Sequence, residues 1–242
     1  MKLTNKILLA TFGLILIAIF ILLIIIRIQI KDEFSIIDGN GISHIILSNK
    51  ELHLANFKSI RILIPSSVSV INSKNNSIDI SGSETELNNL KINISDNNLV
   101  ISSKKNILDF KEKLFIKLSL SHIEKIEVSC PSCINIKNFS LKSLEILIGE
   151  AGKIKGTNNY IKNLKITSKI AGNIDFKNCH IVNAVLNLNG KNRVEINMAG
   201  GVLRGHVDGS SIITYYGNIK EHKLVSLGLV YIIDGSNRLK KT

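Results

Sequence analysis

Tryptophan is absent from this 242-residue chain, and tyrosine and phenylalanine together leave only 5% aromatic residues. Stacked aromatic platforms for sugar rings or unpaired bases are therefore thin; the tyrosines that gather near the C-terminal end are Tyr215, Tyr216 and Tyr231. Arginine is equally scarce, standing only at positions 27, 61, 193, 204 and 238, so the formal charge of +12 rests on lysine. Phosphate and base recognition draws on arginine forks and aromatics, and no nucleic-acid partner is expected. A lysine-rich exterior still favours anionic partners such as acidic glycans or lipid head groups, although solvated outward lysines need no partner at all. Glycines with Walker-type or dinucleotide-binding spacing are missing, which excludes the common phosphate cradles.

Three cysteines make an odd set. Cys130-Pro-Ser-Cys133 has the spacing of a redox pair or half a zinc site, but a thioredoxin-like site needs it at a helix N-terminus. Here the motif falls within a strand-like repeat, where two small buried residues at a corner, with or without a local disulfide, are expected instead. Cys179-His180 lies too far along to complete a zinc site. No cofactor and no metal are expected.

What the chain does have is a repeat of about twenty residues. It begins at Ile126, Leu144, Leu164, Ala184 and Leu203, and each unit alternates apolar and polar positions before a small-residue corner, as in Leu144-Glu-Ile-Leu-Ile148 followed by Gly149 to Gly152. Aligned in this way, Cys130 falls in the column of Ile148 and Ser168, and Cys133 in that of Ala151 and Ala171. Period two and β-branched columns predict strands, and like residues falling on like residues predict stacked coils. The expected fold is all-β: a single-stranded parallel β-helix, or β-solenoid. Less regular alternation from Ile60 extends it back, giving one continuous solenoid over 57–235 and about nine coils, with a basic loop near Lys104 to Lys113 as its interruption.

Ile7 to Ile26 is an unbroken apolar run of about twenty residues, long enough at about 1.5 Å per residue to cross a hydrocarbon core of about 30 Å. It predicts an N-terminal transmembrane signal-anchor over 1–26, a juxtamembrane linker over 27–56 leading into the solenoid, and a basic polar tail over 236–242. A cleaved signal peptide is the competing reading; the length of the run and the lack of a small-x-small cleavage site disfavour it. Arg27 and Lys31 compete with Lys2 and Lys6 in setting orientation. The expected layout keeps the N-terminus inside a bacterial inner membrane, in a single pass, with the solenoid periplasmic or extracellular.

Chemistry is harder to find. Gly205-His-Val-Asp-Gly209 places His206 and Asp208 two apart, hence on one strand face. Asp175, Glu195 and Asp208 fall on adjacent repeats, the best case for paired carboxylates of a glycan-processing β-helix enzyme. Lys155 precedes Asp175 and Glu195 in one outward column and Arg193 lies beside Glu195, so an alternating-sign ladder accounts for the same residues. Lys155, Asp175, Glu195 and the outward Tyr216 are the candidate binding-face residues, with no catalytic residue assigned. Tyr215, in the inward column of Phe176 and Ile196, is expected in the core.

Phe57-Lys-Ser-Ile60-Arg-Ile62, Leu99-Val-Ile-Ser102, the tandem units with small corners, Ile213-Thr-Tyr-Tyr-Gly217 and Val225-Ser-Leu-Gly-Leu-Val230 together resemble the GIN-domain family, the head domain named for auto-transporter adhesins. The resemblance spans about 57–233. Its usual Ser-Gly-Ser-Gly-like corners are degenerate here, as at Ala151-Gly152, Ala171-Gly172 and Asn189-Gly190. The resemblance implies a right-handed single-stranded β-helix and an adhesive role without catalytic residues. The expected function is thus a membrane-anchored, exported, non-enzymatic adhesin-like or envelope-scaffold protein, with an acidic glycan or envelope protein as ligand and homo-oligomer contacts through the end coils. The alternative is an envelope glycan-processing enzyme of β-helix type.

Overall fold

A computed structural model describes residues 57–237, apart from 96, 105 and 107–113, together with the strand backbone of Ser43–Ser48. The apolar run Ile7 to Ile26, most of the 27–56 linker, most of the basic loop and the tail from 238 lie outside the described residues. Among the described residues no helix is long and apolar enough to cross a membrane.

Alternation does become strand. In β10 (Ser140–Ile148) Leu144, Ile146 and Ile148 point inward and are buried, with Glu145 and Leu147 between them facing outward. Each turn lies in register on the next through parallel pairing: Leu144 on Leu164, Ile146 on Ile166, and Ile148 on Ser168 of β11 (Gly152–Ser168). β11 stacks in the same way on β12 (Ala171–Ala199), β12 on β13 (Val202–Asn218), and β13 on β14 (Glu221–Asp234). The chain thus winds as a β-solenoid of about six turns, against the nine expected.

Three kinds of corner bend the chain. At Lys142-Ser143, Lys162-Asn163 and Val182-Asn183 two consecutive residues face out, between buried Leu141, Ile161 and Ile181 on one side and Leu144, Leu164 and Ala184 on the other. At the next corner Asn138 and Asn158 take left-handed φ values of 64° and 54°, which asparagine tolerates. Asn159 there is 1% exposed and turns inward. Its carboxamide accepts from the Phe139 N–H at 2.9 Å and donates to the Ile136 carbonyl at 2.8 Å, stitching one turn to the turn before it. A third corner carries Gly190 at φ +77°, where a Cβ would run into the Ile170 carbonyl oxygen, so only glycine closes it.

The first half departs from simple winding. The coil formed by β2 (Ser59–Ile62) and β3 (Ser66–Asn72) does not stack between its sequence neighbours. It lies between β8–β9 (Lys125–Val128, Ser132–Lys137) on one side and β6–β7 (Asn98–Ser103, Leu114–Leu120) on the other. The chain leaves this coil, runs through β4 (Ser77–Gly82), the short helix α1 (Glu84–Asn88) and β5 (Leu90–Ser95), builds the outer coil, and crosses back. β4 pairs antiparallel with β7 and with β1 (Ser43–Ser48), and β5 pairs antiparallel with β6. This end of the stack is therefore finished by antiparallel strands rather than by another parallel turn, and the uninterrupted coil order expected from the sequence is corrected.

The first repeat unit also sits two residues from the expected alignment. Ile126 pairs with Ile146, Val128 with Ile148, and Ser132 with Gly152. A slip of two preserves side-chain parity, so the inward residues remain inward. Cys130 is consequently past the Ile148 column, and Cys133 pairs with Lys153 rather than aligning with Ala151.

Replacing Asn159 by alanine leaves the Phe139 N–H and the Ile136 carbonyl buried without partners, and the expected loss is about 1–3 kcal/mol of unfolding free energy. Alanine at the outward Lys162 should cost less than about 0.5 kcal/mol. Denaturant titration of the two variants checks the contrast.

Candidate functional site: a lateral groove

One outward column runs the length of the regular stack: Lys125, Glu145, Lys165, Val185, Arg204 and Lys223, paired successively turn on turn. Beside it, across the bend made by the paired outward residues, runs a second column of Ser143, Asn163 and Asn183. The bend leaves a groove of about 800 Å³ between the two columns, floored in part by Leu144 and Leu164.

The two walls are held differently. In the amide column Asn163 Nδ2 donates to the Lys142 carbonyl (3.2 Å), Asn183 Nδ2 to Asn163 Oδ1 (3.1 Å), and the Val202 N–H to Asn183 Oδ1 (3.0 Å). Such a ladder repeats the turn spacing and fixes its own rotamers. In the charged column Glu145 lies between Lys165 at 2.7 Å and Lys125 at 4.0 Å. Glu221 is held by Lys223 at 2.6 Å. At the groove's far end Glu124 accepts from Lys58 at 3.0 Å and meets His122 at 3.1 Å. Hydrogen bonding from Lys58, and then from His122, draws the Glu124 carboxyl below its ordinary range, so it stays ionised at neutral pH. Arg204 has no ion-pair partner among the described residues, and it is the fork best suited to an incoming carboxylate or sulfate.

The residues expected to form a binding face lie elsewhere. Lys155 and Asp175 do share an outward column, and Lys177 Nζ reaches Asp175 at 4.0 Å and Glu195 at 3.5 Å. Arg193 adds a further contact to Glu195 at 3.4 Å. This is an alternating-sign ladder on a strand surface, not a cleft. Asp208 does not join it: it pairs with Asn189 and Leu227, whereas Glu195 pairs with Thr214. The three carboxylates from adjacent repeats therefore do not converge. His206 and Asp208 share an exposed face as their spacing requires. Tyr216 occupies the column next to Glu195, and its ring packs on Gly235. Tyr215 packs partly buried against the core, in the column of Ile196.

The three cysteines are free, which corrects the local-disulfide option. Cys130 is buried, but Cys133 is half-exposed, so only one of the expected buried pair is inside. Burial pushes the thiols of Cys130 and Cys179 up, leaving both protonated at neutral pH and weak as nucleophiles. Among the described residues no three His, Cys, Asp or Glu side chains gather as a metal site.

Sequence reasoning missed the groove column. Its signal was present at the second position of each repeat unit, directly after Leu144, Leu164, Ala184 and Leu203, but mixed charges and one valine give no common chemical type.

Fold and groove together define the molecule as a β-solenoid with a lateral groove walled by charged and amide side chains. Residues 56–218 match the family described as "Putative auto-transporter adhesin, head GIN domain", and the chain belongs to that family. Among solved structures it is similar to a "putative adhesin" from Bacteroides fragilis, at 17% identity and TM-score 0.64, covering 80% of this chain and 97% of that one. It also matches a "Putative lipid binding protein" from Parabacteroides distasonis, at 13% identity and TM-score 0.49, covering 81% and 98%. At these identities the B. fragilis likeness concerns the fold alone. No curated protein matches the sequence.

If the Asp175–Lys177–Glu195 cluster is a solvated ladder, the Asp175→Asn and Glu195→Gln variants should each unfold within about 1 kcal/mol of the parent. Denaturant midpoints measured at low and at moderate salt check this, with any difference shrinking as salt rises.

Proposed function

We propose that the chain is an exported, membrane-tethered, non-enzymatic binding protein of adhesin type, whose ligand is an acidic glycan laid along the lateral groove. The observation that carries this reading is the groove itself: lysines 125, 165 and 223, which share Glu145 and Glu221, and Arg204, unpaired among the described residues, recur along the solenoid axis opposite a ladder of amides. A polymer with a carboxylate or sulfate on successive sugars meets such a surface repeatedly, and contacts that are weak singly add along the chain. The amide ladder offers donors and acceptors to hydroxyl groups without needing aromatic stacking.

Family membership and the name of the similar B. fragilis structure support adhesion as the broader class. The anchor at 1–26, the linker at 27–56 and placement outside a bacterial cytoplasmic membrane belong to the same proposal, supported by the apolar run Ile7 to Ile26. The enzymatic alternative finds carboxylates in the groove, namely Glu124, Glu145 and Glu221. Each is engaged by a cation, Lys58, Lys165 and Lys223 respectively, and none forms a pair with a second carboxylate such as acid–base cleavage of a glycan uses.

The test is binding of a polyuronate to the purified full-length chain in detergent. Affinity should fall by about ten-fold or more in Lys165→Ala/Arg204→Ala and should weaken with added salt, since each lost charge-assisted contact is worth about 1.5–3 kcal/mol. Absence of binding at low salt, or equal binding by the variant, would overturn the groove assignment. Shortening of the polymer on incubation would establish the enzyme instead.

A further inference from the structure

The last turn of the solenoid is built unlike the others. β14 pairs with β13 on one side only, and its other edge meets no strand among the described residues. Its outward residues Val225, Leu227, Leu229 and Tyr231 are 54–69% exposed. One turn earlier the same columns hold His206, Asp208, Ser210 and Ile212, so three of the four columns switch from polar to apolar at the terminal coil. Its inward residues Leu224 and Val230 rest on the core but are only half-covered, because no described residue lies above them. Between Leu224 and Ile233 the only ionisable side chain is Tyr231, on a chain whose formal charge is +12. A bare apolar strand edge of this kind is normally blunted by charge, proline or a cap.

We infer that this edge is covered by the same edge of a second copy, giving a two-fold, head-to-head pair. The coil itself selects the geometry. β14 bends at Gly228, which has φ +104° and stacks on Gly209. Only another coil of the same outline can lay strand on strand along both arms of that bend. A two-fold axis through the corner at Gly228 exchanges the two arms and reverses the solenoid direction, so the arms pair antiparallel. In that register Leu227 faces Leu229 of the second copy, and Val225 faces Tyr231, on the outer face. On the inner face Leu224 meets Ile232 and Ser226 meets Val230, which continues the core columns across the junction. His222 comes opposite Asp234. Apolar meets apolar at most central positions, Ser226 opposite Val230 and Lys223 opposite Ile233 being the exceptions, and no like charges oppose, as an isologous contact requires.

The pairing has a consequence for adhesion that rests on the function proposed above. β1 lies at the other end of the strand order from β14. Head-to-head pairing therefore turns the two N-terminal poles away from each other, an arrangement suited to joining two opposing surfaces rather than neighbours on one. β14 also lies beyond the residues matched to the family, which end at 218.

Sedimentation equilibrium of the full-length chain in detergent tests the pairing. The expected result is a dimer whose dissociation constant rises at least ten-fold in Leu227→Lys/Leu229→Lys; thermal unfolding of parent and variant should agree at concentrations where both are monomers, because both side chains point outward, and the parent alone should gain stability as concentration rises. A second measurement separates this contact from association through other segments. Differently tagged Leu227→Cys and Leu229→Cys chains, each on a Cys133→Ser background, are mixed in equal amounts and oxidised; the mixed disulfide should exceed either like-with-like product by well over the roughly two-fold ratio that random pairing gives, and only that surplus counts as excess. A monomeric parent chain, a dimer indifferent to the lysine substitutions, or no excess of the mixed disulfide would overturn the proposal, including the case in which residues 1–42 of the same chain cover the edge. None of these readouts involves glycan, so failure here leaves the groove assignment standing, and failure of glycan binding leaves the pairing standing.

Discussion

Parallel, in-register pairing of each turn on the next is the constraint on which the rest of this molecule depends. Once Leu144 must lie on Leu164 and Leu164 on Ala184, every position of the coil becomes a column with a fixed facing. Inward columns fill with Ile, Leu and Val because each buried side chain contributes about 1.5–3 kcal/mol and has apolar neighbours above and below. Where a polar residue occupies an inward place it needs partners, and Asn159 finds two in the backbone of the turn before it. Outward columns carry no such demand. They are free to vary, and a row of side chains repeated at the spacing of neighbouring strands, about 4.8 Å, is a surface ready for a linear ligand.

The same constraint explains which parts of the structure the amino-acid sequence reveals. Columns headed by Leu144, Leu164, Ala184 and Leu203 are visible because identical chemistry recurs about every twenty residues. The inward places of Ile146, Ile166 and Leu186 follow from parity alone. Pairing between β2 and β8 joins residues sixty-six apart, as in Ile60 on Ile126. No periodic pattern marks it, so the exchanged order of the first coils was invisible. The slip of the Ile126 unit was invisible for a related reason: two residues of shift leave the apolar and polar faces unchanged.

The candidate site was less legible than the fold. Carboxylates in one column, as at Asp175 and Glu195, suggest catalysis, yet Lys177 and Arg193, two residues away on the same surface, neutralise them. Tyr216 reads as an outward aromatic, but the turn that follows β14 brings Gly235 against its ring. The groove depends on the bend at Lys142-Ser143, Lys162-Asn163 and Val182-Asn183, where two outward residues in succession change the direction of the chain. That doublet is plain once burial is known, but in sequence Lys142-Ser143 and Lys162-Asn163 resemble any polar pair and Val182-Asn183 is not even that. The two ends differ as well: antiparallel strands and α1 finish the N-terminal pole, while the C-terminal turn presents apolar side chains and an open edge.

Hydrogen exchange of the full-length chain, with and without a polyuronate, measures the central claim most directly, because it reports every turn separately. The account predicts added protection in peptides covering Ser143–Glu145, Asn163–Lys165, Asn183–Val185 and Val202–Arg204, recurring once per turn along one side of the solenoid. Protection concentrated around Lys155, Asp175 and Glu195, or confined to a single turn, would contradict it.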